Sequence, residues 1–356
     1  MVRNTFLKDR KSLKIGLNAS LGLILLLCGF VFPVSSHPQS SATAQAHDLR
    51  NFRSCFDGNF ASQKIYLSFI ANHPKLGSQP EAIKQAEQRY QYWRSHFECQ
   101  WFDYTVDGIT VTGFAVTPLK FSEQKLPVVV FNHGGNADIG AIKSQYIYGK
   151  LFPLAARGYI VIGSQYRGNG NREQPHSNPL LDEFGGRDVN DVTALLDLLP
   201  SFEHADPTRV ALWGISRGGM MAYLAARQEP RFSAVIAQSA PTDLLAARER
   251  GGFITDVFAR WIPQYQQNPE QVLAERSVIQ WSDELTQPLL IIHGTADKRI
   301  PIADVDRLVA QLRQRQHPLV EMRIEGGDHG LSRSDRQIVE QIDYWLGQTF
   351  SAQQRE

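Results

Sequence analysis

Cysteine is scarce in this sequence, with three residues in 356. There is no Cys-x-x-Cys pair, no His-Glu-x-x-His and no glycine-rich phosphate loop, so no metal and no nucleotide cofactor is implied. An excess of one charge sign is also lacking: 37 Lys and Arg stand against 36 Asp and Glu. Without a basic surplus the chain has no electrostatic footprint for nucleic acid, and without an acidic one it is no solvating disordered chain. No repeat at a solenoid period recurs. No charged or Gly/Ser-rich block interrupts the chain after residue 50. What is present is ordinary for an enzyme: 42% hydrophobic and 21% charged residues, enough for one large core or two small ones.

The first residues differ from the rest. Arg3, Lys8, Arg10, Lys11 and Lys14 precede an uncharged apolar stretch, Leu21 to Val34. A small and polar segment follows, Ser35 to His47, containing Ala44-Gln45-Ala46. That order is the basic, apolar and small-residue sequence of a secretory signal, and it predicts cleavage after Ala46 and an exported protein, periplasmic or secreted. The alternative is an uncleaved membrane anchor over residues 15–34, since that run approaches the ~20 residues that span a bilayer. Bulky Leu27 before Cys28 argues against a lipoprotein cysteine. Removing the segment leaves Cys55 and Cys99, and an even count in an exported chain permits a disulfide. Closing that loop would stabilise the fold by about 4 kcal/mol through the unfolded state. Two buried free thiols are the alternative.

Residues 47–98 read as a helical extension, irregular or weakly helical to about residue 75 and then a helix from Pro80 to His96. Strand-like runs at Cys99–Val106 and Thr110–Thr117 flank Asp107-Gly108, a hairpin signal. Val128-Val129-Val130-Phe131, in the run Pro127–Asn132, is continuous apolar sequence of the kind buried on both faces of a sheet. Strands and helices then alternate. Strands are expected near 159–163, 209–213, 233–238, 288–292 and 319–324. Helices are expected near 142–157, 189–199, 218–227, 303–314 and 336–349. Eight strands in this order predict an α/β fold, a mostly parallel mixed sheet with helices on both faces. The stretch 241–286 is too long for a simple crossover and is expected to form a small helical cap on a catalytic domain spanning 99–350.

Gly214-Ile215-Ser216-Arg217-Gly218 sits between an apolar strand and the start of a helix. A nucleophile elbow needs that context, and it points to an α/β-hydrolase fold with Ser216 as nucleophile. A serine hydroxyl needs a base, commonly His oriented by an acid, and in this fold the partners follow in the order Ser, Asp, His. His329 lies in the loop after strand 319–324, at the carboxyl end where such sites assemble. His317 precedes that strand and His293 precedes the best acid, Asp297, just past strand 288–292. Asp328 is a rival acid, but adjacency to His329 gives it poor geometry. The tetrahedral intermediate needs two N–H donors. One is expected from Arg217, the residue after the nucleophile. The other is expected from His133-Gly134-Gly135-Asn136 after strand 127–132, with Gly135 preferred and Gly134 or Asn136 possible.

At these residues the sequence resembles the catalytic domain of the prolyl oligopeptidase family. The similar stretches are His133-Gly134-Gly135, Tyr166-Arg167-Gly168-Asn169-Gly170 and Gly185-Gly186-Arg187-Asp188-Val189-Asn190-Asp191. They continue with Trp213-Gly214-Ile215-Ser216-Arg217-Gly218-Gly219, Arg276-Ser277-Val278 and the run from Pro288 to Pro301. The resemblance covers roughly residues 100–350. It implies a Ser216–Asp297–His329 triad and peptidase or esterase activity through an acyl-enzyme, on a peptide or small-molecule substrate and without a cofactor. Three departures bear on specificity. Residues 47–98 are too few for the N-terminal β-propeller of the family's peptidases. Arg217 and Met220 stand where many members carry aromatic residues. His133 stands where some members use a tyrosine hydroxyl in the oxyanion hole. The expectation is therefore a serine hydrolase, foremost a peptidase. The alternatives are a carboxylesterase or lipase-like enzyme acting on small or polymeric esters, and a non-catalytic binding protein of the cell envelope.

Overall fold

Asp107 and Gly108 both take positive φ, 51° and 74°, the backbone of a tight hairpin turn. They fold β2 (Phe97–Val106) onto β3 (Ile109–Pro118) in unbroken antiparallel register. The computed structural model describes residues 49–74, 77–121, 125–137, 139–168 and 181–354. All of these belong to one compact unit, residues 46–356. The expected signal or anchor, 1–46, lies outside the described residues, as do Asn169 and Gly170. Among the described residues no helix is long and apolar enough to cross a membrane.

The remaining strands are β4 (Leu126–Asn132), β5 (Ile160–Ser164), β6 (Ala205–Ile215), β7 (Ala234–Gln238), β8 (Leu289–Gly294) and β9 (Leu319–Ile324). An edge strand, β1 (Arg50–Ser54), completes a nine-stranded sheet in the order β1-β2-β3-β5-β4-β6-β7-β8-β9. The pairs from β5 to β9 are parallel, and those at the β1 end are antiparallel. This is an α/β-hydrolase fold.

Nine strands replace the expected eight. Arg-Asn-Phe-Arg-Ser carries no apolar alternation, and every side chain in β1 is exposed. The strand is held by polar contacts instead. Asn51 and Arg53 both donate to the carboxylate of Asp103, which is buried on β2. Just beyond β1, Cys55 and Cys99 are joined in a disulfide with Cα atoms 5.2 Å apart.

The central strands divide two cores by simple alternation. Val128 and Val130 of β4 and Val210 and Leu212 of β6 face one side. Val129, Phe131, Ala211 and Trp213 face the other. Each strand is buried on both faces, as its continuous apolar sequence requires. On the first side pack the helices Arg217–Gln228 and Ile302–Gln314. On the second lie Pro80–His96, the helical segment 144–155 and the last helix, Asp335–Gln353. Residues 241–286 form three α-helices, Leu244–Arg250, Phe253–Trp261 and Pro269–Ala274, followed by two short 3-10 turns. Val257, Phe258, Trp261 and Leu273 from these helices join the core on the side of Arg217–Gln228.

Candidate active site

Ser216 is the single residue between β6 and the helix Arg217–Gln228. Its φ of 58° and ψ of −127° lie where a non-glycine residue is strained by about 1–3 kcal/mol. Its surroundings hold it there. The Ser216 N–H donates to the Gln238 carbonyl on β7 at 2.9 Å. The helix start presses against the end of β4 so closely that a Cβ on Gly218 would run into the Asn132 carbonyl. That approach brings the loop after β4 to the serine.

Asp297 and His329 come from the loops after β8 and β9. These loops are stitched together: Ala296 N–H donates to the Gly327 carbonyl at 3.0 Å, and Gly326 N–H to Thr295 Oγ1 at 2.9 Å. Gly294 is required at that approach, because a Cβ there would strike the Gly327 carbonyl. The three side chains form a line. His329 Nδ1 lies 2.8 Å from Asp297 Oδ2, and His329 Nε2 lies 2.9 Å from Ser216 Oγ. A carboxylate can only accept, so Nδ1 carries the proton and Nε2 accepts from the serine hydroxyl. Burial pushes the Asp297 carboxyl up, but hydrogen bonds from His329, Ile300 N–H and Arg299 N–H outweigh it, and the net shift is below its ordinary value. Asp297 is thus an ionised orienting group beside a half-buried, reachable Ser216.

The oxyanion donors narrow. Asn136 N–H is committed to the Ile139 carbonyl at 2.7 Å. Gly134 lies against the serine, where an added Cβ would sit 3.1 Å from Ser216 Cβ. Gly135 follows it at φ 88°. The Arg217 N–H opens a helix, where no carbonyl lies one turn back to take it.

Sequence reasoning assigned Arg217 a backbone role and missed its side chain. The guanidinium is buried, donating to Asp182 at 2.7 Å, to Asp188 and to the Gly135 carbonyl at 3.2 Å. It also lies over the rings of Tyr166 and Phe184, at 5.3 and 4.8 Å. Burial disfavours its charge, but the two aspartates more than offset that and keep it protonated. So Arg217 ties the Gly134-Gly135 loop to the Gly185–Asp191 run. Asp188 lies in the run that resembles the prolyl oligopeptidase family, but sequence alone does not connect it to position 217. His133 stacks on Tyr166 at 4.3 Å, and burial lowers its pKa to about 4, so it is neutral near pH 7.

Two neighbours complete the support. His293 is buried, which lowers its pKa, and its Nε2 donates to the Ile300 carbonyl at 2.9 Å, bracing the loop that carries Asp297. Asp328 Oδ1 accepts from Leu331 N–H at 3.0 Å and shapes the loop of His329. Among the described residues no group of three or more His, Cys, Asp and Glu is arranged to hold a metal ion.

Comparison with known proteins bears on this geometry. The family model described as prolyl oligopeptidase family matches residues 145–353. The uncharacterized peptidase YuxL of Bacillus subtilis is 28% identical over 260 residues, covering 68% of this chain and 38% of that protein. The uncharacterized peptidase YtmA of the same organism is 22% identical over 245 residues, 68% of this chain and 91% of that protein. Among solved structures, Pyrococcus horikoshii acylaminoacyl peptidase superposes with a TM-score of 0.59 at 21% identity, over 71% of this chain and 41% of that one. The chain thus spans about two-fifths of the length of YuxL and of the acylaminoacyl peptidase, and nearly all of YtmA.

Proposed function

Since this chain belongs to the prolyl oligopeptidase family, we propose that it is a serine peptidase working through an acyl-enzyme at Ser216. The observation that carries this reading is the hydrogen-bonded line Ser216–His329–Asp297, with the serine at a strained positive φ. In the first step His329 Nε2 takes the hydroxyl proton as Ser216 Oγ bonds to the substrate carbonyl carbon. Asp297 stays ionised and stabilises the imidazolium. The oxyanion is met by Arg217 N–H and Gly135 N–H, with Gly134 N–H as the alternative to the latter. His329 then gives its proton to the leaving amine as the carbon–nitrogen bond breaks. Water, deprotonated by the same imidazole, releases the acid and restores Ser216.

The same steps cleave an ester, so the bond attacked is decided by assay. We expect aminoacyl or short peptidyl 4-nitroanilides to be turned over, with all turnover lost in Ser216→Ala. Hydrolysis of 4-nitrophenyl acyl esters alone, with no anilide cleaved, would make the protein an esterase. Tight retention of peptides without acylation would make it a binding protein. We further propose that it works outside the reducing cytoplasm. The Cys55–Cys99 disulfide and the signal-like order of the first 46 residues support that location.

A further inference from the structure

His133 stands at a position where some family members use a tyrosine hydroxyl in the oxyanion hole, but here both ring nitrogens face backbone carbonyls. The side chain is buried, with Nδ1 2.8 Å from the Gly134 oxygen and Nε2 3.3 Å from the Gln165 oxygen. A neutral imidazole carries one proton, and the shorter contact takes it. Nδ1–H therefore donates to the Gly134 carbonyl. The ring is fixed by its stack on Tyr166, whose hydroxyl donates to the His133 carbonyl at 3.1 Å.

The Gly134 carbonyl belongs to the peptide that carries Gly135 N–H. In a planar trans peptide the C=O and the N–H point in opposite directions, so holding the oxygen aims the hydrogen. Glycine flanks this peptide on both sides, and two such residues let it turn over at little cost. The next peptide is held from both ends. Its oxygen, on Gly135, accepts from Arg217 Nη1 at 3.2 Å, and its N–H, on Asn136, donates to the Ile139 carbonyl at 2.7 Å. Among the described residues Gly135 N–H has no acceptor, so it is available to a substrate. Gly140 leaves room for the Gly134 oxygen, since a Cβ there would stand 2.1 Å from it.

On the reading of Ser216 as the acylated nucleophile, we infer that His133 is a positioning residue of the oxyanion hole: its Nδ1–H holds the Gly134 carbonyl so that Gly135 N–H faces the oxyanion. It acts through the peptide and not on the substrate.

The rate at which a fluorophosphonate labels Ser216 in the full protein reads this arrangement, because the phosphoryl oxygen gathers charge in the same hole. His133→Leu keeps an apolar side chain but has no donor, and labelling should slow about 30–100-fold, somewhat less than when an oxyanion donor is removed outright. His133→Asn places an amide N–H near the position of Nδ1 and should restore the rate to within about threefold of native. The low-field proton resonance of His329 Nδ1–H, which reports the bond to Asp297, should persist in both variants and show that the triad is intact. With a chromogenic substrate of the native protein, His133→Leu should lower kcat and leave KM little changed. Gly140→Ala is an independent check, since its Cβ drives the Gly134 oxygen from its place, and it should slow labelling as well. A native protein that resists labelling would overturn the acyl-enzyme reading and this inference with it. Where native Ser216 is labelled, four results would overturn the inference alone: a native rate in His133→Leu, no recovery in His133→Asn, a lost low-field resonance in His133→Leu, or a native rate in Gly140→Ala.

Discussion

Arg217 donates to Asp182 at 2.7 Å with both side chains sealed from solvent, one residue past the serine that the helix presents. Asp188 shares the same guanidinium. Removing the cation leaves two carboxylates buried without a counter-charge, the situation in which breaking a buried pair costs about 3–5 kcal/mol. Arg217→Met should therefore lose about that much stability in urea denaturation, although its backbone N–H remains. A loss below about 1 kcal/mol would mean that the cluster relaxes into water.

Asp297→Asn should leave the fold intact and slow acylation by about 10³–10⁴-fold, because an amide cannot hold Nδ1–H toward itself as a carboxylate does. Burst kinetics with a chromogenic substrate reads this directly. An effect under tenfold would remove Asp297 from its proposed role.

His293→Phe tests a subtler support. The ring keeps its buried volume but loses the bond to the Ile300 carbonyl. The loop of Asp297 is then less well held, and we expect kcat to fall about tenfold with KM little changed, since misplacement acts on the chemical step. A change in KM alone would assign His293 to substrate binding.

Asp103 gives a pH prediction. Burial raises its carboxyl, but bonds from Arg53, Asn51 and Thr112 outweigh it and place its pKa below the ordinary 3.8. A carboxyl lowered on folding stabilises the protein above its unfolded pKa, and that contribution is lost as pH falls through the folded one. The stability advantage over Asp103→Asn should therefore be present at pH 6 and shrink below about pH 4, as urea melts at the two pH values would register. An advantage independent of pH would mean that the carboxylate charge contributes nothing to holding β1.

The sequence disclosed what local chemistry determines. Pro127–Asn132 read as a strand buried on both sides, Asp107-Gly108 as a hairpin turn, and Ser216 stood between an apolar strand and a helix. β1 was hidden because its residues are polar and its partner, Asp103, is 50 residues away from Arg53. The Arg217 cluster was hidden for the same reason: Asp182 and Asp188 lie 35 and 29 residues from it, and no periodicity links them. Residue types sufficed to nominate Asp297 and His329, but only the stitched loops after β8 and β9 explain why the two side chains meet.

Labelling with a fluorophosphonate tests the central claim most directly. The native protein should take up one phosphonyl group on the peptide containing Ser216, as mass spectrometry would locate it. Labelling should vanish in Ser216→Ala and slow at least about 100-fold in His329→Ala, which removes the base. Folded native protein that resists the reagent, or a Ser216→Ala protein that still accepts it, would contradict Ser216 as the nucleophile.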